Sequence, residues 1–368
     1  MSLNLSVVMV CRNDSHGTNP MARLQHAVDV LAEHSTKMDA GPTELVVVEW
    51  NPPPDRPSIK EVIRWPSRSQ NLMCRVVSVP GEIHHAFPNS DKIPLFQMIG
   101  KNVGIRRARG RFILASNIDI LLDDNTFWYA TNRVRGGFFT RCDRYDVPSQ
   151  LPGGSVAEIL AWCENSIIDV YTRFGICHSA QKRFEVVGCF DTLEKKWTTY
   201  EASDAFQELY TEPLAKTFLS MNMKKLSSDD WRSIRYEILE GHRYLNTLAC
   251  GDFTLMRAED WHLTRGYHET PIYSMHLDTL FLIKCVSLGL QQEALPPWYK
   301  IFHINHTDAP GPLALDEEFF GKLQRRGVPF LTWEDYLRLE RMVLQDPYIG
   351  SSKDWGLANY KLPLVEIY

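Results

Sequence analysis

The segment from Lys101 to Asp124 constrains the fold more than any other part of the chain. Ile99 and Val103 recur at helical spacing where it begins, and Phe112–Ala115 is a short, continuous apolar run. Such a run is typical of a strand that is covered on both faces. Asp119 follows just beyond that strand, and ligands of open α/β sheets bind beyond the carboxyl ends of the strands. The segment therefore predicts a helix, a buried strand and a carboxylate at a ligand-binding edge.

Other apolar runs alternate with helical patterns through the first half of the chain. Leu5–Val10, Glu44–Glu49 and Arg75–Val79 have the composition of buried strands. Asn19-Pro20 predicts a helix start, with proline at the first helical position. Strands that alternate with helices favour an α/β fold. We therefore expect a mostly parallel, mixed, Rossmann-like sheet covered by helices on both faces.

The second half is less regular until residue 249. Ser155–Phe174 and Glu201–Ile238 have helical periodicity, which predicts a helical insertion at about 145–245. Strand and helix patterns return at 249–306, and the tail contains two helical patterns. We predict one main domain at 1–310 and a helical C-terminal extension at 311–368 that packs on the same domain.

The composition of the chain limits the kinds of binding partner and the cellular compartment that we expect. The 368 residues are 44% hydrophobic and carry a formal net charge of −5, which gives no reason to expect a nucleic acid or an anionic membrane. No run approaches the roughly 18–20 apolar residues of a membrane span. The eight cysteines are scattered without a CxxC pair, which is typical of free thiols in a reducing compartment. We therefore expect a cytoplasmic protein without an integral membrane segment.

Two patterns could provide metal ligands. Asp119 stands at the strand end, although a helix cap or a solvated turn explains an Asp there equally simply. His303 and His306 form an HxxH, and both imidazoles can face one ion only if the chain turns between them. Alternatively, one histidine is a core residue and the other is exposed. Two imidazoles and a carboxylate would suit Mn²⁺.

Further acidic and basic residues stand at element ends. Asp278 begins an apolar helix, where it is either a helix cap or a general base. Arg12 follows the first strand and Glu49 closes the second. These two either contact a nucleotide or form a surface ion pair.

In their order along the chain, these blocks resemble the nucleotide-sugar glycosyltransferases of the A-type (GT-A) fold, especially inverting enzymes that are family 2-like or β-1,4-galactosyltransferase-like. The resemblance covers most of 3–124 and 247–306. The segments that carry it are VVMVCRND, LVVVEWNPP, GKNVGIRRARGRFILASNID, CGDFTLMRAEDWHLTRGYHE, HLDTLFLIKCVSLG and FHINH.

The resemblance implies a divalent metal, Mn²⁺ or Mg²⁺, held by Asp119, His303 and His306. It also implies that Asp278 is the catalytic base. The expected donor-binding residues are Arg12, Glu49, Lys101, Asn102, Asn117 and Asp252. Two positions depart from the family pattern. Asn117 replaces the first carboxylate of the Asp-x-Asp motif, and Leu277 replaces one member of the acidic pair.

The resulting hypothesis is an inverting transfer from a nucleoside-diphosphate sugar, expected to be a UDP-sugar, to a hydroxyl of a glycan, a glycolipid or a small molecule. One alternative is a catalytically idle nucleotide- or carbohydrate-binding protein of the same fold. Another is a nucleotidyltransferase, although a Gly-rich basic phosphate loop is missing near the start of the sequence.

Overall fold

The first predicted strand forms as a fully buried element, β1 (Leu5–Cys11). The structure is a computed structural model, and it describes residues 3–14, 19–38, 41–67, 71–211, 227–306 and 317–367. The further strands in these ranges are β2 (Thr43–Trp50), β3 (Leu72–Val79), β4 (Phe112–Ser116), β5 (Ile120–Leu122), β6 (Phe138–Arg141), β7 (Arg144–Val147), β8 (Asp169–Tyr171), β9 (Gly175–His178), β10 (Arg183–Val186), β11 (Gly188–Asp191), β12 (Lys196–Thr199), β13 (Phe253–Arg257), β14 (Gln291–Ala294), β15 (Ile301–Ile304) and β16 (Leu364–Ile367).

Helices alternate with the strands, as the sequence pattern predicts. In the same ranges they are α1 (Pro20–Lys37), α2 (Ile59–Val62), α3 (Gly81–His85), α4 (Gln97–Arg107), α5 (Asp124–Asn132), α6 (Val156–Asn165), α7 (Asp204–Thr211), α8 (Ser228–Glu240), α9 (Ala258–Thr264), α10 (Leu277–Ser287), α11 (Glu317–Arg325) and α12 (Trp333–Gln345), with a 3-10 helix at Gly241–Arg243. None of the described helices is long and apolar enough to cross a bilayer.

The larger sheet is mixed, with a parallel centre. Its strand order is β14-β6-β13-β4-β1-β2-β3-β16. Strands β4, β1, β2 and β3 are parallel neighbours, and β14 is parallel to β6. Strand β13 is antiparallel to both β4 and β6, and β16 is antiparallel to β3. The predicted α/β fold with a mostly parallel, mixed sheet is confirmed.

Helices cover both faces of the parallel centre, because successive residues of a strand point to opposite faces. Val7 of β1 belongs to the core that includes Leu24 of α1. Val8, its neighbour, belongs to the core that includes Val103 of α4. This double burial explains why the central strands read as continuous apolar runs rather than as alternating ones.

Two glycines allow α4 to pack closely on the sheet. A Cβ at Gly100 would lie 2.7 Å from Cγ1 of Val10, and one at Gly104 would lie 2.4 Å from Cγ1 of Val8. Real side chains do not tolerate such distances, so larger residues at either position would push the helix outward. The close contact fixes the height of Lys101 above the sheet.

A second sheet brings distant segments to the end of β4. Its strand order is β10-β9-β8-β7-β15-β5, and β15 lies between β7, which is parallel, and β5, which is antiparallel. A separate hairpin joins β11 and β12. Strand β5 follows β4 after only three residues, and β15 pairs with β5. The second sheet therefore places β15 beside the end of β4, where the sequence predicts a ligand-binding carboxylate.

The predicted insertion is less helical than its periodicity indicates. The helix expected at Ser155–Phe174 ends at Asn165, and β8 follows at Asp169–Tyr171. The strand forms because Val170 and Tyr171 pair with β7 and β9, and tertiary pairing overrides local periodicity. Of Glu201–Ile238, α7 and part of α8 are seen, and residues 212–226 lie outside the described ranges.

The tail contains the two predicted helices, α11 and α12, and also a strand that the sequence analysis did not identify. Strand β16 extends the main sheet beside β3. The proposed boundary at residues 310 and 311 stays a prediction, and residues 307–316 lie outside the described ranges.

Candidate functional site

The site centres on Asp119, which lies between the parallel strand β4 and the antiparallel strand β5. Its side chain is buried, and its backbone carbonyl accepts a hydrogen bond from the amide of Ile304 at 2.9 Å. Strand register pairs His303 with Ile120. Backbone pairing therefore fixes the histidine segment next to Asp119, although the two are far apart in the sequence.

The structure brings both histidines of the HxxH segment to this carboxylate. Nε2 of His306 lies 3.3 Å from Oδ2 of Asp119, and Nε2 of His303 lies 3.9 Å from the same oxygen. Strand β15 ends at Ile304, and the chain then leaves the strand, as a shared site requires. One ligand atom from each of the three residues lies within 4.8 Å of the other two.

A basic residue that the sequence analysis did not identify also contacts Asp119. Nη1 of Arg23, from α1, donates a hydrogen bond to Oδ2 of Asp119 at 2.9 Å. Burial alone would raise the pKa of Asp119, but the hydrogen bond from His306 and the charges of His303 and Arg23 hold it well below its usual value. The carboxylate is therefore ionised and is surrounded by donors.

The three side chains fit a divalent cation. A carboxylate oxygen and two imidazole nitrogens form a donor set that suits Mn²⁺ or a similar ion. Oδ1 of Asp119 and Nδ1 of His306 are buried and have no hydrogen-bond partner. A buried polar atom without a partner is costly. A bound ion would relieve this cost at the carboxylate.

The ammonium of Lys101 is buried close to three of the predicted site carboxylates. Its Nζ donates to the carbonyl of Gly251. Burial lowers the pKa of Lys101 to about 8, against the opposing charges of Asp252, Asp278 and Asp119. The negative charges of Asp119, Asp252 and Asp278 therefore all stabilise the protonated form of Lys101.

Asp278 is half-buried in the first turn of α10 and is held by two backbone amides. Oδ2 accepts from the amide of Gly251 at 2.8 Å, and Oδ1 accepts from the amide of Thr279 at 2.9 Å. The backbone of Gly251 thus contacts Lys101 through its carbonyl and Asp278 through its amide. The N-cap residue of α10 is His276 and not Asp278, so the prediction of a helix cap at Asp278 is wrong. The carboxylate of Asp278 keeps further lone pairs that could accept a proton.

The side chains of Asn117 and Asp252 form a direct hydrogen bond. Nδ2 of Asn117 donates to Oδ1 of Asp252 at 2.5 Å, while its Oδ1 accepts from Gln97 at 2.9 Å. An aspartate at position 117 would face Asp252 without a donor. This contact gives a physical reason for asparagine rather than aspartate at position 117.

Two charged residues of β7 complete the cluster and were also missed. Nη1 of Arg144 contacts Oδ2 of Asp252 at 2.8 Å, and its Nε lies 2.8 Å from Oδ1 of Asp146. Burial alone would lower the pKa of Arg144, but Asp146 and Asp252 hold it above its usual value. The sequence does contain a signal, because charged residues two apart in a strand share one face.

Arg12 and Glu49, two of the predicted nucleotide ligands, form hydrogen bonds within the protein. Arg12, 19% exposed at its side chain, bonds to Asp14 and to the carbonyl of Asn51. Glu49 is buried and accepts from Ser58 and Ser78 and from the amide of Ile59.

Asn102 is buried as well, and both its amide nitrogen and its carbonyl oxygen are bonded within the protein. It donates to Glu269 and to the carbonyl of Tyr267, and it accepts from the amide of Tyr267. In this structure Glu49 and Asn102 stabilise the fold. Their contact with a nucleotide stays a prediction.

Comparison with known proteins gives fold-level similarity only. No protein-family model matches the chain, and no curated protein matches its sequence. Among solved structures, the chain is similar to GalNAc-T7 in a crystal structure with UDP, GalNAc and Mn²⁺, at 11% identity and a TM-score of 0.45, over 98% of this chain and 59% of that one. It is also similar to S. aureus TarS 1-349, at 12% identity and a TM-score of 0.40, over 82% of this chain and 60% of that one. The chain thus spans about 60% of the length of either structure.

Proposed function

We propose that this protein is a glycosyltransferase that moves a sugar from a nucleoside-diphosphate sugar, a UDP-sugar by preference, to an acceptor hydroxyl with inversion of configuration. The acceptor would be a glycan, a glycolipid or a small molecule. The observation that carries the proposal is the meeting of Asp119, His303 and His306 at the carboxyl end of a parallel strand, where α/β sheets bind ligands.

These three residues would hold a divalent cation. When bound, such a cation neutralises the negative charge that develops on a departing diphosphate. Within the protein, the buried ammonium of Lys101 adds positive charge next to the same group of carboxylates. This arrangement suits a reaction in which negative charge accumulates on a leaving group.

Asp278 is the proposed general base. It would accept the proton of the acceptor hydroxyl while that oxygen attacks the anomeric carbon and the bond to the diphosphate breaks. The amides of Gly251 and Thr279 hold its carboxylate in one orientation, which a base must have before the acceptor arrives. Asp252, which accepts hydrogen bonds from Asn117 and Arg144, would bind donor-sugar hydroxyls.

The proposal is tested by titrating the protein with UDP in the presence and absence of Mn²⁺, followed by assays of UDP-sugar hydrolysis and of transfer to acceptors. We expect Mn²⁺-dependent UDP binding, slow hydrolysis without an acceptor, and loss of Mn²⁺ binding in His306→Ala. The exposed residue His85 provides the matched control, His85→Ala, which should bind normally. UDP binding without any turnover would instead identify an idle binding protein, and the absence of both Mn²⁺ and UDP binding would contradict the proposal.

A further inference from the structure

Asp146 contacts the face of His303 that points away from Asp119. Its Oδ1 lies 3.2 Å from Nδ1 of His303, while Nε2 of the same ring is turned toward Oδ2 of Asp119 at 3.9 Å. Both Asp146 and His303 are buried, at 5% and 4% exposure. The imidazole is therefore held between two carboxylates.

We propose that Asp146 is a positioning residue that keeps the proton of His303 on Nδ1 and presents Nε2 as a metal ligand. This inference rests on the proposed metal-assisted function. A neutral imidazole binds a metal through its unprotonated nitrogen, and the hydrogen bond made by the other nitrogen decides which one that is. With an acceptor at Nδ1, Nε2 is the nitrogen that would give up its proton when a metal binds, and it faces Asp119.

The backbone makes this contact a fixed feature of the sheet. Strands β7 and β15 are parallel, and their register pairs Asp146 directly with His303. Directly paired residues present their side chains on the same face of a sheet at close range. The orientation of His303 is thus set by strand pairing rather than by a flexible loop.

Arg144 holds the carboxylate of Asp146 in position and also contacts Asp252, the residue proposed to bind the donor sugar. Its guanidinium contacts Asp146 through Nε at 2.8 Å and through Nη2 at 3.2 Å. It also contacts Asp252 at 2.8 Å. One half-buried arginine, Arg144, therefore orients both the carboxylate behind a proposed metal ligand and the carboxylate proposed to bind the donor sugar.

The experiment measures Mn²⁺ binding directly, by the electron paramagnetic resonance signal of free Mn²⁺, in the parent protein and in three variants. We expect Asp146→Ala to weaken Mn²⁺ binding by about 10- to 100-fold. Asp146→Asn should restore part of the affinity, since its amide oxygen can still accept from Nδ1. The control is Asp191→Ala. Asp191 lies on the separate β11–β12 hairpin and is also a buried carboxylate that is paired with an arginine, Arg243. This variant should bind Mn²⁺ like the parent.

A parent protein that binds no Mn²⁺ would contradict the proposed function itself. A parent that binds Mn²⁺ with an Asp146→Ala variant of equal affinity would overturn the positioning role alone. Nitrogen-15 NMR of the Mg²⁺-loaded parent gives a test that needs no variant and therefore stands even if Asp146→Ala fails to fold. We expect the His303 proton on Nδ1, and a proton on Nε2 would overturn the inference.

Discussion

Nε2 of His306 lies 3.3 Å from Oδ2 of Asp119, although one residue precedes the insertion and the other follows it. The contact exists because β15 pairs with β5 and the chain leaves the strand after Ile304. It places two imidazoles and a carboxylate around one point.

Replacing Asp278 with asparagine should nearly abolish sugar transfer while UDP-sugar binding is retained. The amide cannot take up the acceptor proton, and the loss of a general base commonly costs roughly 10²- to 10⁴-fold in rate. Transfer rates and donor titrations of the same preparation separate the two effects.

The matched control for Asp278 is Asp260→Asn. Asp260 also lies in the first turn of a helix, α9, and also accepts from a glycine amide, that of Gly137 at 3.0 Å. Asp260→Asn should transfer sugar like the parent. Parent-like transfer by Asp278→Asn would show that the base has been assigned to the wrong residue.

Asn117→Asp would restore the Asp-x-Asp pattern, and we expect it to impair the protein. It would replace the donor that lies 2.5 Å from Oδ1 of Asp252 with a second carboxylate. Two carboxylates at such a distance in a partly buried site disfavour each other's ionised form, and Asp252 loses one hydrogen-bond donor, at a cost of about 1–3 kcal/mol. Chemical denaturation and donor titration measure this cost.

Asn125→Asp, at an exposed position, controls for the added charge. It should change stability and donor affinity little. Tighter Mn²⁺ binding and unchanged stability in Asn117→Asp would show that the bond to Asp252 is not what selects asparagine at this position.

Arg23→Met should increase the affinity for Mn²⁺. The guanidinium lies 2.9 Å from the oxygen of Asp119 that faces both histidines, so its charge opposes a cation there. A divalent ion and a unit charge about 5 Å apart repel by about 7 kcal/mol at an effective dielectric of about 20. Since Arg23 can move, we expect a net gain of about tenfold, measured by Mn²⁺ titration.

Arg232→Met, which removes an exposed arginine of α8, should leave Mn²⁺ binding unchanged. Weaker binding in Arg23→Met would give Arg23 the opposite role, namely that it holds Asp119 in position for the ion.

His268 should make the fold sensitive to acid. Burial, with a smaller contribution from the charge of Lys284, lowers the pKa of His268 to about 4. Its value in the unfolded chain is about 6.5, so between these two values the unfolded chain binds more protons than the native protein does. The contribution to stability is therefore complete above pH 6.5 and is lost as the pH falls toward 4, by about 3 kcal/mol in total.

Denaturation curves at several pH values check this prediction through the difference between the parent and His268→Gln. The difference should be greatest above pH 6.5 and should shrink toward pH 4. His85→Gln, at an exposed histidine, should show no such trend. A constant offset between the parent and His268→Gln would exclude His268 as the titrating group.

The sequence was sufficient for the parallel half of the fold and for the three residues that meet at the site. Continuous apolar runs identify β1, β2 and β4 because these strands are buried on both faces. Asp119 was recognisable because a strand end has a defined place in an open sheet.

The residues that support the site could not be found in the same way. Arg23 reaches Asp119 from a helix, and Asp146 reaches His303 because β7 pairs with β15, and both contacts join segments that are far apart in the sequence. Strand β8 was interpreted as helix because its pairing partners, not its own periodicity, determine its structure. Glu49 and Asn102 show the converse, because a polar residue at an expected position can be bonded entirely within the protein.

The most direct test of the account is a crystal structure of the protein with UDP and Mn²⁺, with the ion located by its anomalous scattering. We predict one Mn²⁺ bonded to Oδ of Asp119, to an imidazole nitrogen of each of His303 and His306, and to diphosphate oxygens of UDP. Bound UDP with Mn²⁺ at another place, or with no ion between the diphosphate and Asp119, would contradict it.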